Sequence, residues 1–380
     1  GMEVKLLNVV NVGQGNCIVI APTDDCMFND KELIFDLGDG QTDISRHLSP
    51  HKHKEVFLSH YHKDHIGGVC EFMLRYGDLI DHIWLPLYQN EIMLIAKAIL
   101  KLKGMKSISN EYTEYFKDML SFHSLLKRAN KSIQFVYSGQ TICQHLKVFN
   151  PIVDFEANFE PSREDIQQVT SLFEEPFQQQ MEMYLTSDND YVPDAPELYK
   201  HIINPRQQTG FNSKRRFVYS FFINNLSVFH SFNLSPSLSL FNKIKGKHIL
   251  TSHHASSVFR YDLGGISCLL PGDADLTVMK RLVKDKKDIQ SKYFVLPHHG
   301  SKRNIDEKIL QYIQPFAAVL SHDNAKFGRS KDTHPNREVL DMLKANGVRI
   351  LSTNDIVKDG TILFDRFSEN HSDCYIQLLG

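Results

Sequence analysis

The sequence predicts a layered α/β fold, and two observations carry that prediction. Short apolar runs rich in β-branched and aliphatic residues recur along the chain, and several end at polar residues, as Val56–Leu58 ends at His60. Other stretches place apolar residues at helical spacing. Short buried strands that deliver polar residues to their ends, accompanied by helices, are typical of layered α/β proteins.

The individual elements follow from these two patterns. In the first part of the chain, strands are predicted at Val4–Val10, Cys17–Ile20, Glu32–Phe35, Val56–Leu58, Ile133–Tyr137 and Leu146–Phe149, with helices at Ile92–Leu100 and Tyr112–Leu126. In the last part, strands are predicted at Ser257–Tyr261, Ile266–Leu270, Tyr293–Leu296, Ala317–Leu320, near Ile350 and at Thr361–Phe364, with helices at Leu276–Val283 and Val339–Leu343.

The amino-acid composition of the chain changes between residues 152 and 247. Glu, Gln, Ser and Asn become frequent there, and the apolar pattern is patchy, although Phe173, Phe177, Met181 and Tyr184 share one helical face. We interpret this stretch as an insertion or cap. Residues 2–151 and 248–380 are then the two halves of a single α/β domain.

Composition narrows the functional classes. The net charge is −2, so no global positive field attracts nucleic acid, and such binding would need a local basic patch. No apolar run approaches the length of a transmembrane helix. The six cysteines are scattered, without a C-x-x-C pair, which favours buried free thiols and a cytoplasmic location.

A dense cluster of potential metal ligands follows the strand at Val56–Leu58. It consists of His60, His62, Asp64 and His65. Imidazole and carboxylate are ligands for zinc, iron and manganese. Because residues alternate along an extended backbone, the rings of His60 and His62 point to one side and can chelate one metal, while Asp64 and His65 can reach a second. Two metals that share a hydroxide form a strong nucleophile at neutral pH.

Asp273 ends a second apolar strand, in the sequence Leu-Leu-Pro-Gly-Asp. A carboxylate can bridge two cations. The alternative is an N-cap of the helix that follows, which is a common use of aspartate. The neighbouring His cluster favours the bridging role.

Two further strand ends carry histidines. His298 and His299 follow the strand at Tyr293–Leu296, and either could be a ligand while the other supports it, with the first one preferred. Ser301 is a candidate for an additional role at the same place. His334, which precedes Pro335, is a candidate substrate contact or general acid. Its alternative is a loop that leads into a helix, because proline is favoured at the first helical position.

These motifs resemble the metallo-β-lactamase-fold superfamily, whose signature H-x-H-x-D-H-x-G-G stands at residues 60–68. The closer resemblance is to the soluble hydrolase domain of ComEC/Rec2-type competence proteins. The matching segments run in the family's order over about residues 3–151 and 248–365: Asn11–Asn16, Ile34–Gly38, Leu269–Asp273, His298–Ser301, and Ser321 with Asn324 and His334–Pro335.

The resemblance implies an αββα sandwich with a dinuclear metal site, zinc by default and manganese as the alternative. It assigns as ligands His60, His62, Asp64, His65, Asp273 and His298. His253 or His254 stands where the competence family carries Asn, so His254 could be an extra ligand or a substrate contact. Asn11 and Asn16 replace acidic residues of the family, and the membrane channel of the competence proteins has no counterpart.

Three functions fit this pattern. The first is a hydrolase, of phosphodiesters or nuclease-like, in which Asp273 bridges the metals, Asp64 orients the hydroxide, and His334 or His299 protonates the leaving oxygen. The second is hydrolysis of a carboxylic ester, lactone or phosphocholine ester on the same metals. The third is a metal-binding protein without turnover. A catalytic site keeps open positions for water, whereas a structural site is closed.

Overall fold

A computed structural model describes residues 7–22, 26–60, 68–87, 132–152, 253–263, 265–327, 334–366 and 375–378, with isolated positions at 163, 164, 167 and 171. By its internal contacts the chain divides into two compact units. One comprises Gly1–Pro86, Val136–Pro151 and Ser256–Gly380, and the other Leu87–Phe135 and Ile152–Ala255. The predicted helices at Ile92–Leu100, at Tyr112–Leu126 and around Phe173–Tyr184 lie outside the described residues.

The first sheet brings the two ends of the chain together. Its strands are β1 (Leu7–Val10), β2 (Ile18–Ile20), β3 (Glu32–Phe35), β4 (Lys54–Phe57), β5 (Ile80–Pro86), β6 (Ser132–Val136) and β16 (Tyr375–Leu378). Their order is β16-β1-β2-β3-β4-β5-β6. β1 pairs antiparallel with both β16 and β2, whereas β3, β4 and β5 run parallel and therefore end at the same edge of the sheet.

The second sheet repeats this mixed arrangement. Its strands are β7 (Thr141–Ile142), β8 (Leu146–Asn150), β9 (Val258–Leu263), β10 (Ile266–Leu270), β11 (Tyr293–Val295), β12 (Ala317–Leu320) and β13 (Arg349–Ser352), in the order β13-β12-β11-β10-β9-β8-β7. β10 to β13 are parallel, and β7 to β10 are antiparallel. A separate hairpin joins β14 (Ile356–Lys358) to β15 (Thr361–Phe364).

The helices that the described ranges contain in full are short. They are α1 (Val69–Tyr76), α2 (Leu276–Lys284), α3 (Glu307–Ile313), α4 (Asn324–Phe327) and α5 (Arg337–Ala345). Aspartate side chains cap α2 and α3: Asp275 accepts from the Val278 amide at 3.1 Å, and Asp306 accepts from the Ile309 amide at 2.9 Å. Apolar positions at helical spacing, such as Val278 and Leu282 in α2, form the buried faces.

Two apolar cores hold these layers together. One takes side chains from both sheets, and at its centre Phe35 stacks on Phe57 with ring centroids 4.7 Å apart, while both rings meet Phe259 edge-on. The other lies between the second sheet and helices α2, α3 and α5, as shown by Phe294 and Leu310. The prediction of an α/β fold is confirmed, since the described residues form two large mixed sheets accompanied by helices.

Four of the cysteines are buried free thiols, as the sequence predicted. They are Cys17, Cys26, Cys143 and Cys268, whereas Cys70 is exposed. Burial raises the pKa of the Cys17 and Cys268 thiols far above its ordinary value. These two residues therefore behave as small apolar core side chains.

Candidate metal centre

The carboxyl ends of β4 and β10 bring His60 and Asp273 together. The chain leaves β4 through Leu58 and Ser59, and it leaves β10 through a turn at Pro271 and Gly272. His60 Nε2 lies 2.8 Å from Asp273 Oδ2, and both side chains are almost completely buried. A buried imidazole nitrogen that faces a buried carboxylate oxygen offers two of the ligand types that a divalent metal ion prefers.

A third potential ligand, His253, completes a group with this pair. The ligand atoms of His60, His253 and Asp273 all lie within 4.8 Å of one another. His253 begins the described segment that leads into β9, and it is half-buried. Two imidazoles and a carboxylate match the donor set of catalytic zinc sites, where three protein ligands leave the fourth position open. The donor set therefore fits a divalent metal.

The turn that carries Asp273 is tightly enclosed. Gly272 has φ +56°, and a Cβ at this position would lie 2.5 Å from Ser256 Oγ and 2.8 Å from Ser59 Cβ. The Asp273 amide donates to Ser256 Oγ at 3.1 Å, and the Asn304 side chain donates to the Asp273 carbonyl at 3.2 Å. Glycine is therefore required here, and the surrounding polar groups fix the backbone position of Asp273.

The N-cap alternative for Asp273 does not hold in the structure. Helix α2 begins at Leu276, and its N-cap is Asp275, which lies two residues after Asp273. The Asp273 side chain instead faces His60.

His60 is held from behind by Ser59 and Asp36. The Ser59 hydroxyl lies 3.0 Å from His60 Nδ1 and donates to Asp36 Oδ2 at 2.7 Å, and the Ser59 amide donates to Asp36 Oδ1 at 2.8 Å. Asp36 follows β3 and has φ +61°, a conformation that aspartate tolerates better than most residues. The positions of these groups turn Nε2 of His60 toward Asp273.

His298 and His299 occupy a short turn directly after β11, and both have positive φ. His299 is buried, and its Nδ1 donates to the Ser321 carbonyl at 2.6 Å. His298 is half-buried, and its ring centroid lies 4.7 Å from that of His334. His298 does not belong to the three-residue group found among the described residues. Ser301 is buried, and its hydroxyl accepts from the Arg303 amide at 3.2 Å.

His334 lies beside this turn. Burial, together with the neighbouring His298 and His299, lowers the pKa of His334 from its ordinary 6.5 to about 4. The ring is therefore uncharged at neutral pH, and its role as a substrate contact or a general acid stays a prediction. Pro335 is not the first residue of a helix, because α5 begins at Arg337 after the N-cap Asn336.

The remaining predicted site residues divide into two groups. His62, Asp64 and His65 lie outside the described residues. His254 is described and half-buried, but the ligand group contains its neighbour His253. Sequence reasoning assigned no role to Ser59, Ser256 or Asn304, which hold the turns around His60 and Asp273. A lone serine or asparagine in a loop has no distinguishing pattern, so only their contacts reveal them.

Fold and site together define an α/β protein with a candidate metal centre. In a search of curated proteins, the chain is similar to ComE operon protein 3 of Bacillus subtilis (strain 168), with 27% identity over 114 residues. This region covers 30% of the present chain and 14% of that relative. No family model matches the chain. None of the helices within the described ranges has the length and apolarity needed to cross a membrane.

Proposed function

We propose that this protein is a metal-dependent hydrolase of phosphodiesters, built on the αββα sandwich of the metallo-β-lactamase superfamily. The observation that carries the proposal is the group formed by His60, His253 and Asp273, of which His60 and Asp273 follow the carboxyl ends of β4 and β10. The partial likeness to a competence protein supports the same family. The two sheets that share one core, with helices against the second sheet, agree with this architecture.

The residues that would hold the metal fall into two sets. His60, His253 and Asp273 offer two nitrogens and one carboxylate. His62, Asp64 and His65 would complete a dinuclear site. A bound zinc or manganese ion lowers the pKa of its water ligand towards neutrality and polarises a phosphoryl oxygen.

The chain's own groups perform the remaining tasks. Asp273 supplies negative charge at the centre of the site, and the turn at Gly272 with Asn304 keeps it in place. The rings of His298 and His334 lie next to each other, with centroids 4.7 Å apart, and both can form hydrogen bonds. We therefore assign them to contacts with the substrate. Since His334 is uncharged at neutral pH, it accepts hydrogen bonds there more readily than it releases a proton.

Turnover of bis(p-nitrophenyl) phosphate tests the proposal. The protein is loaded with zinc or manganese and compared with Asp64→Ala, Asp273→Asn and the control Asp306→Asn. Asp306 is the N-cap of α3 and does not belong to the group of possible ligands, and asparagine caps helices equally well. We expect activity in the wild type and the control, with a loss of about 10³-fold or more when a metal-binding carboxylate is removed.

Two outcomes would contradict the proposal. Equal activity in Asp273→Asn and wild type would remove Asp273 from the catalytic machinery. Absence of phosphodiester turnover in a fully metal-loaded protein that cleaves a p-nitrophenyl carboxylate ester would assign the site to esters instead.

A further inference from the structure

Asp36, Ser59 and His60 form a continuous hydrogen-bonded chain beneath the candidate metal centre. Asp36 Oδ2 lies 2.7 Å from Ser59 Oγ, and Ser59 Oγ lies 3.0 Å from His60 Nδ1. At the other side of the ring, Nε2 lies 2.8 Å from Asp273 Oδ2. All four side chains are buried. This chain thus reaches the possible metal ligands from the interior of the protein.

The direction of each hydrogen bond follows from the number of protons. A carboxylate only accepts, and a serine hydroxyl has one proton to donate. Because the Ser59 hydroxyl donates to Asp36, its oxygen can only accept from the imidazole. The bond between Ser59 and His60 therefore runs from Nδ1–H to Oγ.

We propose that Asp36 is a positioning residue that acts through Ser59 to keep a proton on Nδ1 of His60, which leaves Nε2 as the nitrogen that binds metal. The inference rests on the proposed function, since it concerns a ligand of that site. A histidine ligand whose second nitrogen donates to an oxygen is held in one tautomer and one ring orientation. Here the carboxylate fixes the direction of the whole chain.

The backbone around Asp36 is built for this task. Its amide donates to the Phe57 carbonyl at 2.8 Å, which ties the end of β3 to the end of β4. Its φ of +61° is uncommon for a residue with a Cβ, and such conformations concentrate at functional sites. Its second carboxylate oxygen accepts the Ser59 amide at 2.8 Å, so the residue before His60 is held by two bonds.

The variant Asp36→Asn tests the direction of the hydrogen bonds with almost no change in shape. The amide oxygen can still accept from the Ser59 amide, and its NH₂ group then faces Ser59 Oγ. The Ser59 hydroxyl must turn its proton toward His60 Nδ1, which places the proton of a neutral ring on Nε2. We expect zinc affinity, measured by competition with a chelator, to fall about 10- to 100-fold.

Nitrogen-15 NMR of histidine-labelled protein provides a readout that a merely structural role would not change. The His60 signals are assigned by comparison with His60→Gln. We expect Nδ1 of His60 to carry a proton in the wild type and to lose it in Asp36→Asn. Unchanged protonation of Nδ1 and unchanged zinc affinity in a folded Asp36→Asn protein would overturn the assignment.

Two controls keep the result interpretable. Asp306→Asn makes the same chemical change at the N-cap of α3, outside the group of possible ligands, and its zinc affinity should equal that of the wild type. If Asp36→Asn does not fold, Ser59→Ala tests the same chain and is matched by Ser291→Ala, which also removes one buried hydroxyl. Ser59→Ala should lose zinc affinity. Equal zinc affinities in the two serine variants would refute the proposal that Asp36 acts through Ser59 on His60.

Failure of this inference and failure of the proposed function give different results. A wild type that binds neither zinc nor manganese refutes the proposed function. The positioning role of Asp36 is then tested by the NMR spectrum of the metal-free protein. That role requires a proton on Nδ1 of His60 in the wild type and no proton there in Asp36→Asn. If the wild type binds metal and Asp36→Asn binds it equally tightly, only the positioning role of Asp36 is refuted.

Discussion

The two ends of β4 bury charge in opposite ways. At the amino end, Lys54 Nζ lies 2.9 Å from Glu32 Oε1 and also donates to the carbonyls of Ser49 and Lys52. At the carboxyl end, His60 faces Asp273 at 2.8 Å. The lysine ammonium is a hydrogen-bond donor that satisfies the buried carboxylate of Glu32, whereas an imidazole nitrogen beside a carboxylate is a donor set for a metal ion. One end is therefore structural, and the other is suited to chemistry.

Glu55 extends this contrast at the amino end. Its buried carboxylate accepts from Lys31 at 2.9 Å, His82 at 2.8 Å and Trp84 at 3.0 Å. Within the ranges that the structure describes, three or more potential ligands converge at His60, His253 and Asp273 and not around Glu55. Carboxylates and histidines thus occur at both ends, but only one end leaves them arranged for a metal.

The largest effect on stability is expected at the amino end of β4. Lys54→Met leaves Glu32 buried without its ammonium partner, so we expect the free energy of unfolding to fall by about 3–5 kcal/mol. Urea unfolding followed by fluorescence of Trp84, the single tryptophan, measures the change. The folded fraction should bind zinc like the wild type. Weakened zinc binding in the folded protein would show that the two ends are coupled.

The exposed pair of Lys302 and Glu338, with Nζ and Oε1 3.7 Å apart, provides the control. Lys302→Ala should change the free energy of unfolding by less than about 1 kcal/mol, because exposed pairs are weak. A comparable loss in both variants would mean that burial of the Lys54 pair has no special importance.

Two glycine variants test how the turn before Asp273 affects metal binding near the carboxyl end of β4. Gly272→Ala should weaken zinc binding about tenfold or more, because the new Cβ meets Ser256 and Ser59 and displaces the turn of Asp273. Gly347→Ala is the matched control, since Gly347 also has positive φ but has no neighbouring atom within 4 Å of its Cβ position. It should cost about 1 kcal/mol of stability and leave zinc affinity unchanged. Equal zinc affinities in both variants would contradict the role of the turn.

A second buried histidine tests the comparison through the pH dependence of stability. His322 follows β12, its Nε2 lies 2.5 Å from Ser352 Oγ, and its Nδ1 accepts from the Asn324 amide at 2.9 Å. Burial, followed by the charge of His299, lowers the pKa of His322 to about 3. Both ring nitrogens of His322 therefore form hydrogen bonds within the protein.

The pKa of His322 determines the sign of its effect on stability. Between pH 6.5 and 3 the unfolded chain binds more protons at this residue than the folded protein, so stability falls as the pH falls. The resulting loss in the free energy of unfolding amounts to about 2 kcal/mol at pH 5 and vanishes above pH 7. His322→Gln should flatten the pH dependence of urea unfolding in metal-free protein. A slope identical to that of the wild type would refute a neutral, buried His322.

The sequence predicted individual strands better than their arrangement. β4, β10 and β12 were found because each is an apolar run that ends in polar residues. No local pattern could show that β16 pairs with β1 at the other end of the chain, or that β8 pairs with β9 across more than a hundred residues. Pairing depends on the packing of whole layers, which periodicity does not encode.

The site was predictable to a similar extent. His60 and Asp273 were proposed as ligands because both follow apolar strands, and the structure brings them together. The choice between His253 and His254 could not be made, because their loop has no periodicity that fixes side-chain direction. The contact between Ser59 and Asp36 joins the ends of two strands, so it became visible only with the register of the first sheet.

Metal retention tests the central claim most directly. Wild type, His60→Ala, Asp273→Asn and the control Asp306→Asn are dialysed to equilibrium against zinc or manganese, and their metal content is measured by elemental analysis. We expect stoichiometric metal in the wild type and the control, and a marked loss in the two site variants while Trp84 fluorescence reports a folded protein. If Asp273→Asn retained as much metal as the wild type, the ends of β4 and β10 would not form the metal centre.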